Sequence, residues 1–581
     1  ISYYEKSINS LFSLVAKFFT SIDQNNILEI YKKVSFVYVD DFWELIEKFK
    51  VYNNFTKEGF KEFIYESKVN LSVLLRYKEI IECFGDIIKE YMLNDCTSAE
   101  LLLDKYEIKH ISEPFPLYFP KELNSIDKEK IIADYIDSKN PNLNYLRLMS
   151  NIQSNKDKIE ISPKTLLKAK KRAEEQESNF FKENSGFSVE TSVVFSETQT
   201  EAAQVMINEK MIAASYGTRW IADNLDYATL LNNFIHLFEF VDIQMRFQLV
   251  SKFNQMGVFE RFISMSSQNS YQKGFVFEQL NNLSLLQMLG YYNYLFGIGV
   301  RLEEVIEWFF EEYLLNEFNV KNFIVTMPSS NSTFLEKCTN IMPALEAVLK
   351  QFSLFVEEGE VDHELLEIRS DQLIYQNIPS LIEKKYAYGM GDEYKNATFF
   401  LFSDQSCLGY VEKLEPTYNN CYELLSNEKI KISDYNDFFI HNINWLIEHQ
   451  YLSMDEEYLT FSNDLLILLL KDLYFNDVIT YWNYTEDGKR IMDELECRNV
   501  IEFESSLFSR PEQAYINYFL NKRQFNNGID LRNKYSHTQP KTGNDEKMYH
   551  HDYMVFFRLF VLSIIKINDE FCTFDELRKL D

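Results

Sequence analysis

Sixteen glycines and eleven prolines in 581 residues leave this chain few places to turn. Average usage is about 7% and 5%, so both residues are scarce here. Few breakers, with abundant Leu, Ile, Phe, Glu and Lys, predict a mainly α protein. At about 150 residues per domain the length predicts several units. Hydrophobic content of 46% and aromatic content of 16% suffice for packed cores.

The expected organisation is a multi-domain helical protein in three parts. Residues 1–160 form an N-terminal helical region. Ile8, Leu11, Phe12, Val15, Phe18 and Phe19 recur at helical spacing. Ser112-Glu-Pro-Phe-Pro and Asn140-Pro-Asn are breakers, so 111–160 reads as a connecting stretch. Residues 161–432 form a central, mostly helical region suited to regulation or sensing, with short strands. Ser162 as N-cap and Pro163 at the first helical position open a charged helix, a solvated face rather than a nucleic-acid contact. Phe187 to Phe195 is rich in β-branched and aromatic residues and predicts a strand, with Met211 to Tyr216 as its partner. Tyr227 to about Leu315 reads as buried helices, and Thr398 to Ser403 as a short strand. Residues 433–581 form a separate helical domain, whose last long helix runs from about Asp545 to Phe571.

The net charge of −30 excludes non-specific coating of nucleic acid, which rests on Lys and Arg. Any such site must be local. Between Lys522 and Lys566, eight Lys or Arg face four Asp or Glu, a local excess of four positive charges. Seven scattered cysteines, without a C-x2-C pair, fit free thiols in a reducing cytoplasm. Charges interrupt the first apolar run, so it is no secretory signal. No apolar stretch approaches the roughly 18 residues a membrane span needs. The chain begins at Ile1 rather than Met, so residues are expected to precede it.

Within the basic segment stands Arg532-Asn533-Lys534-Tyr535-Ser536-His537. Arginine binds phosphate as a planar fork, and histidine moves protons near neutral pH. That pair suits RNA phosphodiester cleavage with no metal and no cofactor. On a helix, Asn533 and His537 share a face. Arg532 and His537 lie apart on a regular helix. They converge if the first turn is irregular or if a second copy completes the site. Lys522, Arg523, Lys534 and Arg558, with His550 and His551, are the candidate RNA-binding residues around it.

This R-x4-H segment, placed before a long last helix, resembles the HEPN superfamily. The resemblance covers the last 120 to 150 residues. It implies a helical bundle and a metal-independent endoribonuclease of bacterial anti-phage (abortive infection) or toxin type. Arg532, Asn533 and His537 would be catalytic. It also implies a homodimer with two signatures face to face, and a phage or partner protein as trigger. Family members inactivated by AMP transfer carry Tyr two residues after the histidine. Here Gln539 stands there, which argues against that regulation. The competing reading is a non-catalytic HEPN scaffold in a defence complex.

Other constellations carry less. His550-His551-Asp552 reads as a solvated helix start rather than a metal site. Tyr38-Val39-Asp40-Asp41 matches the Y-x-D-D of reverse transcriptases, but few residues precede it and a helical pattern follows. A polymerase fragment is the lesser alternative. Gly389-Met-Gly391 lacks the third glycine and the helix of a dinucleotide site. Residues 435–463 have the pattern of a small winged helix, though Asp455-Glu456-Glu457 is a poor phosphate-facing wing.

Overall fold

The computed structural model describes residues 2–110, 114–183, 190–208, 211–257, 260–261, 265–369, 372–536 and 546–580. The protein is 60% helical, and the strands among the described residues form two- and three-stranded sheets. It divides into two compact units. One comprises Ile1–Phe187 with Arg261–Ser270, the other Ser188–Glu260 with Tyr271–Asp581.

The first unit is helical around a single core that includes Trp43, Phe60, Leu74, Ile132 and Met149. The stretch expected to connect domains is part of it. Asn124 and Asp127 form a reciprocal capping box that starts the helix Ser125–Asp137, and Asn142 caps Leu143–Ser150. Ile131, Ile132, Tyr135 and Ile136 bury one face of the former. The prolines there punctuate short helices; they do not make a linker. Pro163–Glu183 is the charged helix, with Ser162 Oγ accepting from the Thr165 amide at 3.3 Å. Its cations meet acids of the same unit, Lys168 with Asp137 and Arg172 with Glu175. Asp40 and Asp41 open the helix Val39–Lys48, and Asp40 is held by Arg76 at 2.9 Å and by the Tyr77 hydroxyl. That is not a turn between strands.

In the second unit, β1 (Glu190–Ser196), β2 (Ala203–Asn208) and β3 (Met211–Gly217) form a sheet in the order β1-β3-β2. The expected partners β1 and β3 do pair, in parallel, because the intervening β2 reverses the chain first. The main core joins β3 to the helices Phe275–Gly297, Phe334–Glu358 and Arg510–Leu520 and to the last helix, Glu546–Leu580. The last helix is buried without a break from Asp552 to Ile567. A helix enclosed on every side is the centre of its bundle, not a surface element.

A second core in this unit gathers residues between Ala387 and Ile501. Its sheet is antiparallel, β4 (Tyr386–Gly389) lying between β7 (Ile479–Thr480) and β8 (Ile501–Glu504). The helix Gly391–Phe402 follows β4 and contains the stretch expected to be a strand. Ala397, Thr398, Leu401 and Phe402 bury one face of it, a helical spacing that outweighs β propensity. A helix therefore does follow Gly389-Met-Gly391, though the sheet is antiparallel and unlike a dinucleotide fold. Between them, Asp437–Glu448 leads into the hairpin β5 (Leu452–Asp455) and β6 (Tyr458–Phe461), whose turn is acidic. Residues 433–581 thus contribute to both cores: those up to Ile501 to the second, those from Leu507 to the main one.

Candidate functional site

The helix Leu531–Ser536 is six residues long and carries most of the signature. Asp530 precedes it with a left-handed backbone, φ 63°. The Asp530 carboxylate accepts from Asn533 Nδ2 at 2.9 Å, a local bond that holds the first turn. Leu531 and Tyr535 point inward four residues apart and seat the helix on the main core.

Arg532 is 29% exposed at its side chain and pairs with Glu346, which is 20% exposed. The bond runs from Nε to Glu346 Oε1 at 2.7 Å. Glu346 comes from the middle of the helix Phe334–Glu358. The pairing uses the inner edge of the guanidinium. Among the described residues neither terminal nitrogen of Arg532 meets a partner. Asn533 is exposed beside it. His537, like Gln539, lies outside the described residues.

Lys534 and Tyr535 converge on Asp552 of the last helix. The Lys534 ammonium pairs with its carboxylate, and the Tyr535 hydroxyl donates to Oδ2 at 2.6 Å. His551 Nδ1 lies 3.4 Å from Oδ1. Burial alone raises a carboxyl pKa. Here the hydrogen bonds from His551, Lys534 and Tyr535 outweigh it and hold Asp552 below its ordinary range. Burial and the same carboxylate push the Tyr535 hydroxyl up. Cys338 packs behind, donating to the Tyr549 carbonyl at 3.3 Å, with its thiol pushed up to about 12 by burial. Neither Tyr535 nor Cys338 is a nucleophile at neutral pH.

The remaining RNA-binding candidates separate. Lys522 and Arg523 are exposed on the turn before the signature, and Arg523 reaches Gln372 at 3.4 Å. His551 is 59% exposed. His550 stacks on Phe334 with centroids 4.0 Å apart, and its Nε2 is buried without a partner. Burial and Lys337 lower its pKa, so it is neutral at pH 7 and offers a phosphate no charge.

Arg558 must be removed from the candidates. It is fully buried, with Nη1 on Ser284 Oγ at 2.6 Å and Nη2 on Asn281 Oδ1 at 2.9 Å. It also lies over the rings of Tyr515 and Phe519. Lys566, counted in the basic excess, is likewise enclosed and pairs with Glu512 at 3.2 Å. The local positive charge of the sequence is therefore partly core charge, not one basic surface. Sequence reasoning missed Glu346 and the role of Asp552. Nothing local marks the first. The second stands within His550-His551-Asp552, but no local pattern ties it to Lys534 and Tyr535.

Among the described residues no three His, Cys, Asp or Glu side chains are grouped to hold a metal ion, and no helix is long and apolar enough to cross a membrane. No protein-family model, curated protein or solved structure matches the chain.

Proposed function

We propose that this chain is a metal-independent endoribonuclease of HEPN type, acting on RNA in a bacterial anti-phage response. One observation carries the reading: Arg532 is oriented through Nε by Glu346 while its terminal nitrogens are left for another ligand. A guanidinium so held presents its outer edge, the edge that forks onto phosphate oxygens. Asn533 is exposed next to it.

The reaction is attack by an RNA 2′-oxygen on the adjacent phosphorus. His537 takes the 2′-hydroxyl proton as the O2′–P bond forms. Arg532 stabilises the charge that grows on the non-bridging oxygens. The P–O5′ bond breaks and the 5′-oxygen leaves with a proton, from His537 or from the histidine of a second copy. The products are a 2′,3′-cyclic phosphate and a 5′-hydroxyl. A homodimer placing two signatures together supplies both proton-transfer groups. Asn533 orients His537 or the ribose. Exposed Lys522 and Arg523 extend the phosphate track. The first unit and the second core are the parts through which a phage or partner trigger acts.

The test is cleavage of single-stranded RNA in EDTA by the parent chain, Arg532→Ala and His537→Ala. The reading expects cutting by the parent and none by either variant with folding intact. The pairing of Lys534 with the Asp552 carboxylate, which occupies a cation within the signature, favours the second reading, a non-catalytic scaffold. A scaffold keeps its biological effect in His537→Ala.

A further inference from the structure

A helix of six residues cannot hold its own orientation, because nucleating a turn costs more than so few bonds return. What grips Leu531–Ser536 decides where Arg532 points. Leu531 and Tyr535 supply apolar anchoring, and Glu346 holds Arg532 itself. One carboxylate adds a polar hold on the second half of the helix. Asp552 takes both Lys534 and the Tyr535 hydroxyl, and its side chain is only 8% exposed. It begins the stretch of the last helix that is buried continuously to Ile567. It is therefore fixed to a helix enclosed in the main core. His551, the neighbouring residue, lies against its other oxygen.

We propose that Asp552 is a positioning residue: by holding Lys534 and Tyr535 to the last helix, it sets the direction from which Arg532 meets the RNA phosphate. The proposal rests on the ribonuclease reading. Two carboxylates from two helices then share the work. Glu346 fixes the guanidinium, and Asp552 fixes the helix that carries it. Removing the charge of Asp552 weakens the hold on Lys534 and on the Tyr535 hydroxyl, so the short helix shifts while the core beneath Leu531 stays formed.

The test uses the full chain and compares Asp552→Asn and Tyr535→Phe with the parent in RNA cleavage. Lys579→Ala, which breaks the exposed pair with Asp575 on the same helix, is the control. Asp552→Asn is expected to lower kcat by about 10²-fold, the scale of a misplaced catalytic group. KM stays near the parent's; the melting temperature falls, because the fold stabilises this carboxylate, but the variant remains folded at the assay temperature. Tyr535→Phe loses rate in the same direction by less, and Lys579→Ala loses none. A purely structural ion pair leaves the kcat of the folded fraction at the parent's value, activity falling only as the protein unfolds; that result overturns the proposal. If Asp552→Asn does not fold, a folded Tyr535→Phe with the parent's kcat overturns it too. A parent chain that cuts no RNA removes the reading underneath, a result distinct from a parent and an Asp552→Asn variant that cut equally well.

Discussion

Arg532 donates from Nε to Glu346 Oε1 across 2.7 Å, joining residues 186 positions apart in sequence. The bond spans two helices of the main core. It leaves the guanidinium oriented rather than consumed.

Glu346→Gln is therefore expected to cost rate before it costs stability. A partly exposed pair of this kind contributes about 1 kcal/mol or less. Loss of the orientation lowers cleavage by about 10- to 100-fold. Steady-state cleavage beside thermal melting separates the two effects. An unchanged rate with a lowered melting temperature removes Glu346 from the site.

Asp477 supplies a pH-dependent prediction. It follows the helix Asp464–Asn476 with a left-handed backbone, φ 63°. Burial raises its carboxyl to about 6, against an ordinary 3.8, and Lys252 offsets this only in part. The folded state thus holds this proton more tightly than the unfolded state does. Its contribution is fully present below the ordinary value and is lost as pH rises through about 6. Asparagine keeps the left-handed backbone and carries no charge. Asp477→Asn should stabilise the protein by up to about 3 kcal/mol at pH 7. The gain should shrink toward pH 4, as measured by urea unfolding. Equal gains at both pH values contradict the assignment.

Helix boundaries were legible where the chemistry is local. Ser162-Pro163 announced its helix because a cap and a first-turn proline act within four residues. The last helix was legible from its length and polar start, though not that it is buried on all sides. Thr398 to Ser403 misled because its β-branched and aromatic content masked a helical burial pattern. Arg532, Asn533 and the interest of the basic segment were visible in sequence. Glu346 was not, since no local pattern marks a partner 186 residues away. The burial of Arg558 and Lys566 was hidden as well: charge counted along a sequence does not say which charges face water.

The cores also bear on how the protein can be cut. A fragment of residues 433–581 keeps the last helix but loses Phe275–Gly297 and Phe334–Glu358, which share its core. Circular dichroism of that fragment should show no cooperative melt, whereas residues 188–581 should melt as a folded unit. A sharp transition in the short fragment contradicts the shared core.

Thiol reactivity offers a check on the packing behind the signature. Cys83, Cys96, Cys407 and Cys497 are exposed, whereas Cys338 and Cys421 are buried with thiols pushed up to about 12. Only thiolates react readily with a disulfide reagent. Native protein should therefore show four readily accessible thiols, with half-buried Cys572, its thiol pushed up to about 11 by burial, reacting slowly and Cys338 and Cys421 reacting only on unfolding. Rapid labelling of Cys338, located by mass spectrometry, contradicts the packing of Tyr535 and Tyr549 around it.

The central claim is that Arg532 and His537 drive attack by a ribose 2′-oxygen. Its most direct measurement compares a single-stranded RNA with the same strand fully 2′-O-methylated, both incubated with the full chain in EDTA, followed by analysis of the new ends. The account predicts that only the unmodified strand is cut, and that its fragments end in 2′,3′-cyclic phosphate and begin with 5′-hydroxyl. Cutting of the methylated strand, or fragments bearing 5′-phosphate, would contradict it.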